Sequence, residues 1–163
     1  MGDIINYIFY TDHLTEMGNR ASFDRYLKEM DKKLLDDGTV YCMVDISNLV
    51  VINSDYSRQT GDDIIKLFTL CLRETFGKTD AEFIYNGNGC FVILARNTDY
   101  ITIEDIMRLF KLRIDDREEH RNIKIEYKVG IAETFKINRT ARRLLSEAIQ
   151  NKKLHISNPE NKE

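Results

Sequence analysis

The chain has 163 residues, 42% of them hydrophobic and 31% charged, with a net charge of −3. This is the composition of a soluble globular domain with a real core, and the small negative charge leaves no electrostatic footprint for nucleic acid or an anionic membrane. No apolar run approaches the ~18–20 residues of a membrane span, and three scattered cysteines (Cys42, Cys71, Cys90) without CxxC spacing argue against a disulfide framework or a zinc site and for a reducing, cytoplasmic setting.

Residues 4–10 (IINYIFY) form a short apolar stretch. Asp3 beside it argues against a signal peptide. The stretch reads as a lead-in over residues 1–11, either a helix end arriving from an upstream domain or a dimer contact. A polar turn follows at 12–20. The spacing of Phe23, Leu27, Met30 and Leu34 predicts an amphipathic helix over 21–35 with one apolar stripe, stopped by Asp36-Asp37-Gly38. Residues 39–46 (TVYCMVDI) read as a buried strand that carries a carboxylate, Asp45, at its end. Residues 47–57 are a loop or short helix. Gly61-Asp62 opens a second helix over 60–76, with Ile64, Ile65, Phe68, Leu72 and Phe76 on its inner face and Gly77 as the stop.

Residues 81–86 and 90–95 read as the arms of a β-hairpin. Its tip is Gly87-Asn88-Gly89, and Asn-Gly supplies the positive φ angles of a tight hairpin turn. Gly87 permits close backbone approach by another group. A third helix is predicted over 102–117, with Thr102 and Asp105 resembling a capping box. Residues 123–134 alternate as a strand. Asn138 or Thr140 caps a last helix ending near Lys153, where Lys152 and Lys153 read as a solvated helix end of favourable charge. A polar, frayed tail occupies 157–163. Helices punctuating an antiparallel-rich sheet make an α+β layer sandwich, with a single domain over 12–156.

Three motifs carry a family resemblance. Residues 12–23 (DHLTEMGNRASF) resemble the DxLTxxxNRxxF signature of GGDEF domains, the diguanylate cyclase family. Residues 45–56 (DISNLVVINSDY) fall where that family has DxDxFKxxNDxxG, with Gly61-Asp62 on its following Gly-Asp pair. Gly87-Asn88-Gly89-Cys90-Phe91 falls on the namesake hairpin. The resemblance covers nearly the whole chain and implies a ferredoxin-like palm, as in nucleotide cyclases, with the sheet flanked by helices.

It also implies a chemistry. In active relatives two GTP molecules condense into cyclic di-GMP, with carboxylates holding divalent ions on the triphosphate and helping to activate the attacking hydroxyl. The resemblance assigns the first metal carboxylate to Asp45, with the backbone of Ile46 beside it, and Mg²⁺ as the cofactor. It places Gly89 at the second metal carboxylate and Cys90 at the catalytic glutamate. Ser47 replaces another aspartate, and Val50 replaces a phosphate-binding lysine. Glycine offers no side-chain ligand, and a thiol among apolar neighbours behaves as a small hydrophobe. Asn53 and Asp62 match the pair that reads guanine, whose edge an amide and a carboxylate can satisfy. As residues alone, they serve equally as a loop support and a helix-start charge. The product-inhibition motif RxxD is represented by Lys78 and Ala81 and is not intact.

The expectation is therefore a GGDEF-like signalling module without cyclase activity. It would bind GTP or another guanine nucleotide or serve as an interaction module, associating with a second copy or an upstream sensor domain; a purely structural reading has it dimerise or relay a neighbour's signal with no ligand. The alternative is an active diguanylate cyclase with rearranged metal ligands.

Overall fold

A computed structural model describes residues 2–117 and 122–157. In chain order its elements are α1 (Gly2–Tyr10), α2 (Arg20–Met30), β1 (Val40–Ile46), α3 (Leu49–Asp55), α4 (Arg58–Thr75), β2 (Ala81–Tyr85), β3 (Cys90–Ala95), α5 (Tyr100–Asp116), β4 (Ile125–Glu133), α6 (Ala141–Gln150) and β5 (Lys153–Ser157). The strands form one antiparallel sheet in the order β2-β3-β1-β4-β5. Strand β1, apolar but for Asp45, is central and buried on both faces, as its near-continuous hydrophobic run requires.

The period-two alternation of β1 divides the core. Val40, Cys42, Val44 and Ile46 face one layer, built with Ile64, Phe68 and Leu72 of α4 and Ile103 and Phe110 of α5. Tyr41 and Met43 face the other, built with Phe23 and Leu27 of α2 and Leu144 and Ala148 of α6. Phe68 is fully buried and anchors the first layer, stacked on Phe91 and edge-on to Phe110 and Tyr127. The predicted inner face of α4 is buried throughout. Beside the sheet, α1 buries nothing, and Ile4, Ile5, Tyr7, Ile8 and Phe9 are each more than half exposed.

Several predicted boundaries shift, each for a local reason. Leu34 is 71% exposed, off the stripe assigned to it. The helix ends at Met30, and the Leu35 N–H donates to the Arg139 carbonyl, which draws the chain out of helical register and buries Leu35 instead. Ser57 caps α4, so the helix begins a turn before Gly61-Asp62. Its last turn closes on Phe76 without left-handed backbone at Gly77. Asp99, not Thr102, caps α5, by accepting from the Thr102 N–H at 2.7 Å. Thr140 caps α6, while Asn138 is buried and bonds the Glu133 carbonyl and the Glu147 carboxylate.

The last helix stops at Gln150, and the chain turns into β5, an edge strand absent from the sequence reading. Ser157, read there as the first tail residue, is buried at the end of this strand, and residues 158–163 lie outside the described residues.

Candidate functional site

The site is assembled at the end of the sheet where β1 stops and the β2–β3 hairpin turns. The N-terminal signature holds that end together. Asp12 Oδ2 accepts from both the Thr15 N–H and its hydroxyl at 2.8 Å, closing the first turn. Asn19 caps α2 by accepting from the Ser22 N–H, and its amide donates to the Phe9 carbonyl, which seats α1. Gly18 lies on the edge of β2, donating to the Phe83 carbonyl and accepting from the Tyr85 N–H. A Cβ there would fall 2.7 Å from Ile84. Arg20 reaches across 66 residues to donate to the Asn86 carbonyl at the hairpin tip. Every polar residue of the signature with a bond here clamps the backbone.

The tip has the predicted conformation. Gly87, Asn88 and Gly89 all have positive φ, and the Cys90 N–H returns to the Gly87 carbonyl. Asn88-Gly89 thus forms the centre of a primed turn that matches the strand twist. The tip is packed down on the protein. The Gly89 carbonyl accepts from the Ile46 N–H at 2.9 Å, and the Gly89 N–H donates to the Tyr85 hydroxyl at 2.8 Å. A Cβ on Gly89 would lie 3.1 Å from Ile46 Cβ and 3.3 Å from its carbonyl oxygen, on left-handed backbone at φ +78°. The Tyr85 hydroxyl is held above its ordinary pKa by burial, with the Asp12 and Asp62 carboxylates adding to the rise and the Gly89 bond opposing it.

On the metal side, Asp45 stands directly opposite Cys90 in the β1–β3 register and opposite Lys128 on β4. Its Oδ2 is 3.6 Å from Lys152 Nζ, with side-chain exposures of 31% and 20%. Lys152 is therefore no solvated helix end. The turn from α6 into β5 folds its ammonium back over the end of β1. The Cys90 thiol is pushed up first by burial and then by the Asp45 carboxylate, with Lys152 opposing. That keeps it a neutral thiol and a poor nucleophile. Of the acids nearest the tip in sequence, Glu82 lies within ion-pair reach of Arg96 and Asp99 caps α5. Among the described residues no group of three or more His, Cys, Asp or Glu side chains could hold a metal ion. One carboxylate beside an ammonium does not fit Mg²⁺, which demands several oxygens in octahedral array.

On the base side, α3 and the start of α4 lie against each other. Gly61 is the contact point: a Cβ there would fall 1.7 Å from Asn53 Oδ1 and 3.3 Å from Leu49. Asn53 Oδ1 is buried with no hydrogen-bond partner. Asp62 makes no side-chain hydrogen bond or ion pair among the described residues, and Ser57, not Asp62, caps the helix. The cap role open to Asp62 is thus filled by Ser57, and Asn53 Oδ1 braces no backbone group of its loop. Leu49 bridges this side to the hairpin, with one methyl facing Gly61 and the other facing Gly89.

The site was only half readable. Asp45, Cys90, the tip, Asn53 and Gly61-Asp62 were all visible as motif positions. Lys152, Tyr85 and Arg20 were not assigned to it. The inward phase of Tyr85 in a strand leading to a glycine tip was the one available signal. Nothing local marks Lys152 as the partner of Asp45.

Comparison with known proteins agrees with this geometry. A family model described as diguanylate cyclase, GGDEF domain, matches residues 9–155. An uncharacterized membrane protein of Staphylococcus epidermidis is 29% identical over 100 residues, covering 60% of this chain and 27% of the relative. An uncharacterized protein of Bacillus subtilis, YtrP, is 29% identical over 92 residues, covering 56% of this chain and 16% of the relative. The chain therefore spans only a minor part of the curated relatives it matches. Among solved structures, the coiled coil and GGDEF domain of DgcB from Caulobacter crescentus, in complex with c-di-GMP, superposes with a TM-score of 0.76 at 17% identity, covering 91% of this chain and 81% of that one. The FimX GGDEF domain from Pseudomonas aeruginosa superposes at 0.73 with 14% identity, covering 87% and 90%. At those identities the superpositions speak for the fold, which is the palm-like sheet expected from the sequence.

Proposed function

This chain belongs to the diguanylate cyclase, GGDEF domain family, and we propose that it is a degenerate member that binds a guanine nucleotide and relays a signal without making cyclic di-GMP. The observation that carries this reading is the Asp45–Lys152 pair beside Cys90 and Gly89. The carboxylate that would meet a divalent ion already has a cationic neighbour from its own chain. The position of the second carboxylate is a glycine, packed against Ile46. An enzyme that depends on metal to neutralise phosphate charge would have, among the described residues, one carboxylate here, and that one beside an ammonium.

Guanine binding is supported by the opposite condition at Asn53 and Asp62. Both are polar, both lie on the α3–α4 side of the site, and neither has a hydrogen-bond partner among the described residues. A buried polar atom without a partner is costly, and a base edge would satisfy it. The guanine O6 acceptor and the N1 and N2 donors suit an amide and a carboxylate. Val50, 81% exposed, brings no cation to the phosphates. The nucleotide is therefore held mainly by its base.

Association is the second part of the proposal. The exposed apolar side chains of α1 offer a contact for a second copy or an upstream sensor domain. Among the described residues no helix is long and apolar enough to cross a membrane. The three free cysteines are the support for placing the domain in the reducing cytoplasm.

Incubation of the protein with GTP and Mg²⁺ or Mn²⁺, followed by chromatography of the products, tests the inactive reading. GTP should be recovered unchanged. Formation of cyclic di-GMP would overturn it.

A further inference from the structure

A separate cleft of about 270 Å³ lies between one face of α5 and strands β4 and β5. It exists because of the way the edge of the sheet is built. α5 is seated on α4, β4 and β1. β5 continues the sheet beyond the reach of that helix, so a trough is left over β4 and the inner side of β5. The strand residues on this side are Tyr127, Val129 and Ile131 of β4 and Lys153 and His155 of β5, the alternate positions of each strand.

The floor of the trough is flat and apolar. The Tyr127 ring is almost wholly buried, stacked on the His155 ring at 5.5 Å and 28° and held edge-on by Phe110. Val129, Ile131 and Met107 complete it.

The rim is cationic, and its cations differ in one respect. Arg108 is fully engaged, with Glu104 and Asp105 each at 2.8 Å. Lys111 and Lys153 are exposed and have no ion-pair partner among the described residues. Both bear on the same point, since each opposes protonation of His155, which burial already depresses; Asp115 alone favours it. Lys152 and Lys153 are adjacent in sequence, so the turn into β5 places one ammonium over Asp45 and the first residue of β5 lines this trough with the other.

We propose that this cleft binds a small organic anion with a planar apolar body, the body lying on Tyr127, Val129 and Ile131 and the anionic group meeting Lys111 and Lys153. A concave, mostly apolar site with a few converging polar groups is the usual form of a small-molecule site, and charge-assisted contacts to an anion are the stronger kind. The volume suits a ligand of one or two fused rings. A carboxylate and a phosphate monoester share the required chemistry. Neither the metal side nor the base side of the palm site contributes a residue.

The test is a two-dimensional amide NMR titration of the full chain with 1-naphthoate, 1-naphthyl phosphate and the neutral 1-naphthalenemethanol. Either or both anions should shift the amides of Val129, Ile131, Lys153 and His155, and the tighter of the two identifies the preferred headgroup. The alcohol should bind at least tenfold more weakly. Lys111→Glu with Lys153→Glu, two exposed positions whose replacement leaves the spectrum dispersed, should weaken the anions at least tenfold. Val129→Trp, which fills the trough, should abolish binding. Shifts that cluster elsewhere, equal binding of the alcohol, or unchanged anion affinity in the double charge reversal would each overturn the proposal.

Discussion

The two sides of the palm site differ in how their polar groups are satisfied. On the metal side Asp45 is matched by Lys152, Cys90 is a neutral thiol, and the backbone of Gly89 is bonded to Ile46 and Tyr85. On the base side Asn53 and Asp62 are left without internal partners, and Gly61 keeps the space that Asn53 occupies. The same chain that matches the polar groups of one side with its own leaves those of the other without internal partners. Burying an unsatisfied polar atom costs about 1–3 kcal/mol, a cost that a bound base edge would offset under the proposed function. Under the proposed function, this difference would separate recognition from catalysis, which a family name alone joins together.

The largest break in this comparison comes from Gly61→Val. Any side chain there collides with Asn53 Oδ1, so the variant should lose about 1–3 kcal/mol of stability through overpacking and its guanine nucleotide affinity as well; denaturant unfolding and calorimetry read the two effects separately. Asn53→Ala and Asp62→Ala should each weaken GTP binding by about 10- to 100-fold, the loss of one hydrogen bond to a charged or buried group, with thermal midpoints shifted by only a few degrees. Calorimetric affinities equal to wild type in both variants would remove the base side from the account.

Smaller effects lie on the metal side. Lys152→Ala should cost at most about 1 kcal/mol, as expected for a partly exposed ion pair, and should leave GTP affinity within about threefold of wild type. The smallest effect lies outside both sides and serves as a control. Burial, Lys111 and Lys153 depress the pKa of His155 below its ordinary 6.5. In the window below 6.5 the unfolded chain binds a proton that the folded chain resists, so stability falls as pH drops through it. His155→Gln should flatten that decline in pH-dependent denaturant midpoints without touching nucleotide binding.

Much of the fold was legible because the strongest signals are local. Asn88-Gly89 between two apolar runs gave the hairpin and its turn, and the stripe from Ile64 to Phe76 gave the inner face of α4. The misreadings share one cause, competition between near-equal local signals decided by distant contacts. Thr102 and Asp105 copy a capping box, but the chain reaches α5 extended at Asp99, which takes the cap. Leu34 continues a helical period that the Leu35–Arg139 backbone bond breaks. β5 hid because its apolar residues, Leu154 and Ile156, are about half exposed, while His155 faces inward on Tyr127. In the site, motif positions were visible and their satisfaction was not. Whether Asp45 awaits a metal or already has a lysine depends on how the turn after α6 folds back across the sheet, and no spacing reveals that.

The most direct measurement is a calorimetric titration of GTP in excess EDTA and again in millimolar Mg²⁺. Binding through the base side alone predicts the same affinity in both buffers to within about threefold, and equal loss in Asn53→Ala under either condition. Binding that appears only with Mg²⁺, or that tightens tenfold or more on its addition, would mean that the metal side is open after all and would contradict the separation of the two.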